Sequence, residues 1–151
     1  MKKIFDWLLL SFKKGIWLPM TVFIVHILAI SLFNVYYHFP SFDIIMHFIG
    51  GVAISYFYFH LIDLGNGEVL GNLNKLSFVL FIFLLTASTT VFWEFAEWFV
   101  DYTFKFRTQV SIDDTMLDMF LGIFGSVLLI SMKYKDISKS VEENIEDRKI
   151  S

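Results

Sequence analysis

Cysteine is absent from this chain of 151 residues. Its absence excludes disulfide bonds, thiolate metal ligands and a cysteine nucleophile. Three local signatures of enzymes are absent as well: the nucleotide-binding glycine loop, the HExxH zinc motif and the nucleophile elbow. The first apolar segment lacks a small-x-small cleavage site and is too long for a signal peptide, so we expect it to remain in the protein.

Apolar residues, by contrast, are abundant. Hydrophobic residues make up 56% of the chain, 19 of them are phenylalanines, and the mean hydropathy is +0.64. A soluble domain of this size rarely carries so much apolar material. A helix of about 20 apolar residues is long enough to cross a bilayer. Four segments meet this requirement, namely 16–37, 42–62, 76–100 and 115–132.

The cations predict how these segments are oriented. Lysines and arginines gather before the first segment and after the fourth, at Lys2, Lys3, Lys13, Lys14, Lys133, Lys135, Lys139, Arg148 and Lys149. The connection between the third and fourth segments has only Lys105 and Arg107. Because positive charge is retained on the cytoplasmic side, both termini should be cytoplasmic and the loops 34–41 and 101–113 should face outward.

The predicted fold is an all-α membrane protein, a four-transmembrane-helix bundle with an N-terminal interfacial amphipathic helix. Lysines alternate with apolar residues in 1–14, as is typical of a helix lying in the inner interface. We expect residues 1–134 to form one transmembrane domain. Residues 135–151 are charged and lack aromatic side chains, which predicts a cytoplasmic tail that is frayed helix or disordered.

The second and fourth segments share a stripe of residues four apart. These are Asp43, His47, Gly51 and Ser55 in one segment, and Asp114, Asp118, Gly122 and Ser126 in the other. Polar groups occupy the outer end of each stripe and small residues lie deeper, where they allow close helix packing. A parallel two-plus-two repeat, a shared packing rule and coincidence would each account for the likeness.

Ionisable residues in the apolar segments are the strongest indication of a site. A charged side chain at membrane depth costs roughly 2.5–3.5 kcal/mol even on the lenient insertion scale, so it is normally paired or lines a wet cavity. Helical spacing places each group on one face of its helix, and the topology brings the three faces to the outer end of the bundle. They are Asp43, His47, Glu94, Glu97, Asp101, Asp114 and Asp118.

Carboxylates gathered in this way repel one another unless protons or a cation neutralise them. Several oxygen ligands with one imidazole suit a divalent metal such as Mg, Mn, Zn or Fe. The predicted metal ligands are Asp43, His47, Glu94, Glu97 and Asp118. Glu94 and Glu97 are also the candidate catalytic bases. The paired Glu-x-x-His motif of di-iron bundles is absent, so that chemistry is not assigned.

Other members of the set have alternative interpretations. Asp114 follows Ser111 at capping-box spacing, Asp43 occupies a first helical turn, and Asp101 is near the water interface. Arg107 lies in the outer loop, where it can grip a phosphate or serve only as an interfacial cation. We predict a substrate-binding role for Arg107, Asp101 and Asp114.

Three motifs resemble those of the VanZ-like and YjdF-like small bacterial membrane proteins. They are Asp43-Ile-Ile-Met-His47-Phe48, Trp93-Glu94-Phe-Ala-Glu97-Trp98, and Arg107 followed by Asp113-Asp114-Thr-Met-Leu-Asp118-Met119 with Gly122 and Gly125. The chain departs from VanZ-like proteins at Glu97 and Asp118, where those often have Gln and Asn. The resemblance implies a helical bundle in the bacterial plasma membrane and, for some VanZ-like members, a link to glycopeptide resistance.

These features give three functional hypotheses. The first is a metal-binding protein that binds or acts on a lipid-linked or phosphate-bearing envelope substrate, with catalysis and oligomeric state left open. The second is an ion or proton carrier in which His26 continues the path inward. The third is a structural envelope protein whose acids are neutralised by salt bridges and protons. A membrane lipid or lipid-linked molecule is the expected partner, and no nucleic acid is expected.

Overall fold

The computed structural model describes residues 2–33, 35–39, 41–105 and 108–150, without the side chains of Ile30, Tyr36 and 147–150. These residues form five helices of 14 residues or more and one single-turn helix, and no strand occurs among them. The helices are α1 Lys2–Gly15, α2 Trp17–Phe33, α3 Val35–His38, α4 Phe42–Gly65, α5 Lys75–Phe104 and α6 Ile112–Ile150. The all-α prediction is confirmed for the described residues.

Three segments are long and apolar enough to cross a membrane, Phe42–Gly65, Lys75–Phe104 and Ile112–Glu146. They correspond to the second, third and fourth predicted spans. The first two of these are a few residues longer than predicted, and the last, with 35 residues, is about twice the predicted length. Within the predicted first span of 16–37, the described residues form α2, of 17 residues, and α3 from Val35. Helix α2 alone lies at the lower limit of about 17–25 residues for a crossing. It meets α1 at an angle of 52°, and together the two are apolar enough for a fourth crossing. The fourth span therefore stays a prediction.

A glycine seam joins α4 to α6. Contacts of His47 with Asp118 and of Gly51 with Gly122 show that these two helices run parallel. A Cβ atom on Gly51 would overlap the backbone of Gly122, and one on Gly125 would overlap the carbonyl of Phe48. The predicted packing of small residues is therefore present. Helix α5 runs antiparallel to both, with Ser55 bonded to Thr86 at 2.9 Å.

The hydrophobic core lies at the end of the bundle where α4 ends and α5 begins. Its most buried members are Phe59, Ile62, Phe78, Ile82, Leu129, Ile130, Ile137 and Val141. Two of these, Ile137 and Val141, belong to the segment predicted as a frayed or disordered tail. That interpretation is wrong for the described part of 135–151, because α6 continues as a regular helix whose apolar residues pack on the core.

Helix α1 packs beside the same end of α4. The Trp7 indole donates a hydrogen bond of 2.8 Å to the carbonyl of Leu61, and the ring of Phe12 contacts Phe57 edge-on at 5.2 Å. Ser11 is buried, whereas Ile4 and Phe5 are exposed. A helix is thus present where the interfacial segment was predicted, and its position in the interface stays a prediction.

Candidate functional site

His47 is the centre of a polar cluster at the opposite end of the bundle. It lies one turn after Asp43 in α4, and its Nε2 atom is 3.5 Å from Asp43 Oδ1. The same nitrogen is 3.8 Å from Asp118 Oδ2 in α6, and Nδ1 is 3.7 Å from Glu94 Oε1 in α5. Three helices thus bring carboxylates to one imidazole at ion-pair distances. We call Asp43, His47, Glu94, Glu97 and Asp118 the acid cluster.

Two carboxylates of the acid cluster are buried and incompletely bonded. Glu94 is 4% exposed and Asp118 is 3% exposed. Glu94 Oε1 and Asp118 Oδ1 have no hydrogen-bond partner in the described structure. Leaving a buried polar atom without a partner costs about 1–3 kcal/mol, and more when the atom is charged. Two buried carboxylates around one imidazole repel each other unless protons or a cation neutralise them.

Gln109 holds Glu94 in place. Its side-chain amide donates to Glu94 Oε2 at 3.1 Å and to the Glu94 backbone carbonyl at 3.0 Å. Sequence reasoning missed this residue because it lies in an irregular loop, where no helical period relates it to Glu94. The available signal was an uncharged amide in a loop flanked by acids on both sides.

Glu97 lies on the rim of the acid cluster. It is one turn after Trp93 in α5, and the Trp93 indole donates to Glu97 Oε1 at 2.9 Å. Glu97 and Glu94 each offer a carboxylate oxygen, and His47 offers a ring nitrogen. These three possible ligand atoms lie within 4.8 Å of one another. Glu97 is partly exposed, so it borders the cluster without being enclosed in it.

The predicted substrate-binding residues make local contacts. Asp101 accepts hydrogen bonds from the backbone N–H groups of Thr108 and Gln109, at 2.9–3.0 Å, and so shapes the α5–α6 loop. The Asp114 N–H donates to Ser111 Oγ at 3.1 Å, which confirms the predicted helix cap. Ser41, by contrast, is the residue before α4 and makes no side-chain capping bond to that helix. Arg107 lies outside the described residues.

The ligand atoms form two groups that share His47. One comprises Asp43, His47 and Asp118, the other His47, Glu94 and Glu97, and the ligand atoms within each lie within 4.8 Å of one another. Oxygen-rich sites with one imidazole suit a divalent first-row metal or magnesium. Either group thus has ligand types that can bind such a cation. The five residues predicted as metal ligands are all present in these two groups.

Comparison with known proteins identifies the family. The family model described as "Predicted membrane protein (DUF2238)" matches residues 5–137. An uncharacterized protein of Thermotoga maritima is 33% identical over 97 residues, which cover 62% of this chain and 47% of that protein. The chain thus spans about half the length of that relative. No solved structure matches. The match over most of its length shows that the chain belongs to the DUF2238 family of predicted membrane proteins.

Proposed function

We propose that the acid cluster binds one divalent metal ion and, through it, a phosphate-bearing lipid or lipid-linked molecule of the cell envelope. The observation that carries this proposal is the burial of Glu94 and Asp118, each with an unpartnered oxygen, around His47. Within the described part of the chain, His47 is the only ion-pair partner of these two acids. A single imidazole cannot balance two buried carboxylates. A divalent cation would neutralise Asp118 together with Asp43, while Glu94 would keep His47 as its hydrogen-bond donor.

The two nitrogens of His47 favour one of the two ligand groups. A neutral imidazole binds a metal through one nitrogen and donates a hydrogen bond from the other, usually to a carboxylate or carbonyl. Glu94 is already oriented by Gln109, and Glu97 is already bonded to Trp93. We therefore assign the metal to His47 Nε2, and Nδ1–H to Glu94 as its acceptor.

Asp43 and Asp118 complete the proposed metal site. Both approach Nε2, at 3.5 and 3.8 Å, and they come from the parallel helices α4 and α6. Two carboxylates neutralise a divalent cation and leave positions for water or a substrate oxygen. If the protein catalyses a reaction, the bound metal would polarise a phosphoryl oxygen or activate water, and Glu94 or Glu97 would act as general base.

The cell envelope is the proposed setting. The distribution of lysines and arginines supports cytoplasmic termini, which would put the acid cluster near the outer leaflet of the plasma membrane. The resemblance of the three motifs to VanZ-like and YjdF-like proteins supports an envelope role. The ion-carrier alternative is less favoured, because the backbone contact of Gly51 with Gly122 closes the α4–α6 interface directly beside the cluster.

Metal binding by purified protein tests the proposal. We expect one divalent ion per chain when the protein is titrated with Mn²⁺, Zn²⁺ and Mg²⁺. Asp118→Asn and His47→Ala should weaken binding by about 10–100-fold or more. Asp113→Asn is the matched control, since Asp113 is exposed on the same helix. Its affinity should equal that of the wild type.

Glu97→Gln distinguishes the two ligand groups. If the metal is bound by Asp43, His47 and Asp118, this variant should retain nearly the wild-type affinity. An equal loss in Glu97→Gln and Asp118→Asn would instead indicate a site shared by both groups. Absence of any stoichiometric ion in the wild-type protein would contradict the proposal. If no metal binds and Glu94→Gln changes only the stability of the protein, the hypothesis of a structural envelope protein replaces the metal-binding proposal.

A further inference from the structure

A cavity of about 310 Å³ lies between α2, α4 and α5. This volume is at the lower end of the roughly 300–1,000 Å³ that small-ligand pockets occupy. The backbones of α2 and α5 do not approach each other within the described structure, and an edge-on contact of Phe23 with Trp93 at 6.2 Å bridges the gap. Gly50 adds further space, because no atom lies within 4 Å of the Cβ position it lacks.

The lining of the cavity is apolar apart from two histidines and two threonines. Both threonine hydroxyls are already bonded, Thr89 to the Tyr58 hydroxyl at 2.7 Å and Thr90 to the Ala87 carbonyl at 2.8 Å. An apolar cavity with few free polar groups favours a hydrocarbon occupant over water, since buried water needs two to four polar partners.

The cavity is continuous with the acid cluster. His47 lines it at one end and carries the ion pairs of the cluster, while Ile54 lines it two turns further along α4. Met20 and Phe23 on the α2 wall are 47% and 44% exposed, so the cavity opens sideways between the helices. In a membrane-spanning bundle, such an opening faces lipid.

We infer that this cavity binds the hydrocarbon chain of a single-chain phosphate lipid whose head group lies at the acid cluster. The inference rests on the proposed metal site, which would bind the phosphate, and it adds the class of lipid. The polar end of the ligand meets His47, and its chain extends along α4 toward Ile54. The small volume favours one chain over the two chains of an ordinary phospholipid.

Photolabelling tests this inference on the full chain in phosphatidylcholine nanodiscs. The probe is dodecyl phosphate with a diazirine at the end of its chain, and labelled residues are identified by mass spectrometry. We expect saturable labelling at Ile54 and Met20. Excess unlabelled dodecyl phosphate should suppress it, and dioleoyl phosphatidic acid should not. Equal suppression by the two-chain lipid would overturn the assignment to a single-chain lipid.

Filling the cavity supplies the matched comparison. Gly50→Leu should reduce labelling at Ile54 about tenfold or more, because the new side chain displaces at least two methylene groups of the ligand. Ser88→Leu adds a similar side chain at an exposed position of α5 outside the cavity, and labelling should be unchanged. Gly50→Ala, with a smaller side chain, should give a partial loss and serves if Gly50→Leu does not fold.

Metal content measured on the same samples separates this inference from the proposed function. Loss of labelling in Gly50→Leu with metal retained supports the cavity as the chain site. Labelling that is equal in the wild type and Gly50→Leu overturns the inference and leaves the metal site standing. Saturable labelling without any bound metal overturns the metal site and supports the cavity alone.

Discussion

The two ends of the bundle use the same three helices, α4, α5 and α6, for opposite purposes. At one end, Phe78, Ile82 and Ile137 are completely buried among other apolar side chains. At the other end, the buried groups are Glu94 and Asp118, which face the half-buried His47, and each has one oxygen without a hydrogen-bond partner. Burial of apolar side chains stabilises the fold, whereas burial of unpartnered charge reduces its stability. The difference sets the acid cluster apart from the apolar end and supports its choice as the proposed site.

The glycine seam separates these two ends and fixes the geometry of both. Close contact of Gly51 with Gly122 holds α4 and α6 in a parallel register. That register places Asp118 beside His47 on one side of the seam and the buried Ser55 and Ser126 on the other. A seam of small residues therefore positions the ligands without contributing a ligand itself.

Gly51→Leu should have the largest effect on the bundle. Its side chain would meet the backbone of Gly122, which cannot rotate away, so we expect a loss above about 5 kcal/mol, the exceptional range for one substitution. Gly50→Leu is the neighbouring control, since its Cβ position is open. Yield of monodisperse protein in detergent and the midpoint of thermal unfolding measure both. Similar behaviour of the two variants would show that the seam does not hold the helices together.

Ile137→Ala tests whether the apolar end includes the charged C-terminal part of α6. Ile137 is completely buried, so truncation to alanine should lower the free energy of unfolding by about 2–5 kcal/mol. Ile145→Ala is the control on the same helix, because Ile145 is 48% exposed and should change stability by less than about 0.5 kcal/mol. Equal effects in a denaturant titration would place the segment outside the core.

Long apolar runs and helical spacing made the acid cluster predictable. Three spans follow from hydropathy alone, and a period of about 3.6 residues puts Asp43 above His47 on one face. Consecutive spans cross the membrane in opposite directions. The end of the third span and the start of the fourth, with Glu94 and Asp118, are therefore expected at the same end of the bundle as His47. The structure brings these four residues together as expected.

Other features depend on tertiary contacts that no local pattern encodes. Gln109 reaches Glu94 across 15 residues of chain, through a loop whose shape Asp101 fixes. Ile137 lies among charged neighbours, and its burial depends on core residues of α4 and α5 that are far away in sequence.

Asp118→Asn should stabilise the metal-free protein. Its carboxylate is buried with one oxygen unpartnered, so replacing the charge with a neutral amide should raise stability by about 1–3 kcal/mol in EDTA. With metal at 100 times the wild-type Kd, the wild type gains about 2.7 kcal/mol, whereas a variant that binds about 10–100-fold more weakly gains about 0.4–1.4 kcal/mol, so the advantage of the variant should shrink or reverse. Thermal unfolding with and without Mn²⁺ measures this. A variant less stable than the wild type in EDTA would indicate that the carboxylate is already neutralised.

The pair formed by Lys75 and Glu142 should have the smallest effect, although its two charged atoms lie close together. Lys75 Nζ lies 2.7 Å from Glu142 Oε1, closer than any ion pair of His47, but the two side chains are 42% and 66% exposed. Exposed pairs contribute little to stability because water screens them and side-chain entropy opposes them. Glu142→Gln should therefore lower the free energy of unfolding by less than Ile137→Ala does at low salt, and by less still at high salt. A larger loss would mean that α6 is held to the start of α5 by charge more than by Ile137 and Val141. Charge would then contribute to holding the helices together at the apolar end, and buried apolar contacts alone would no longer account for its stability. The two ends would differ less than the burial of their side chains indicates.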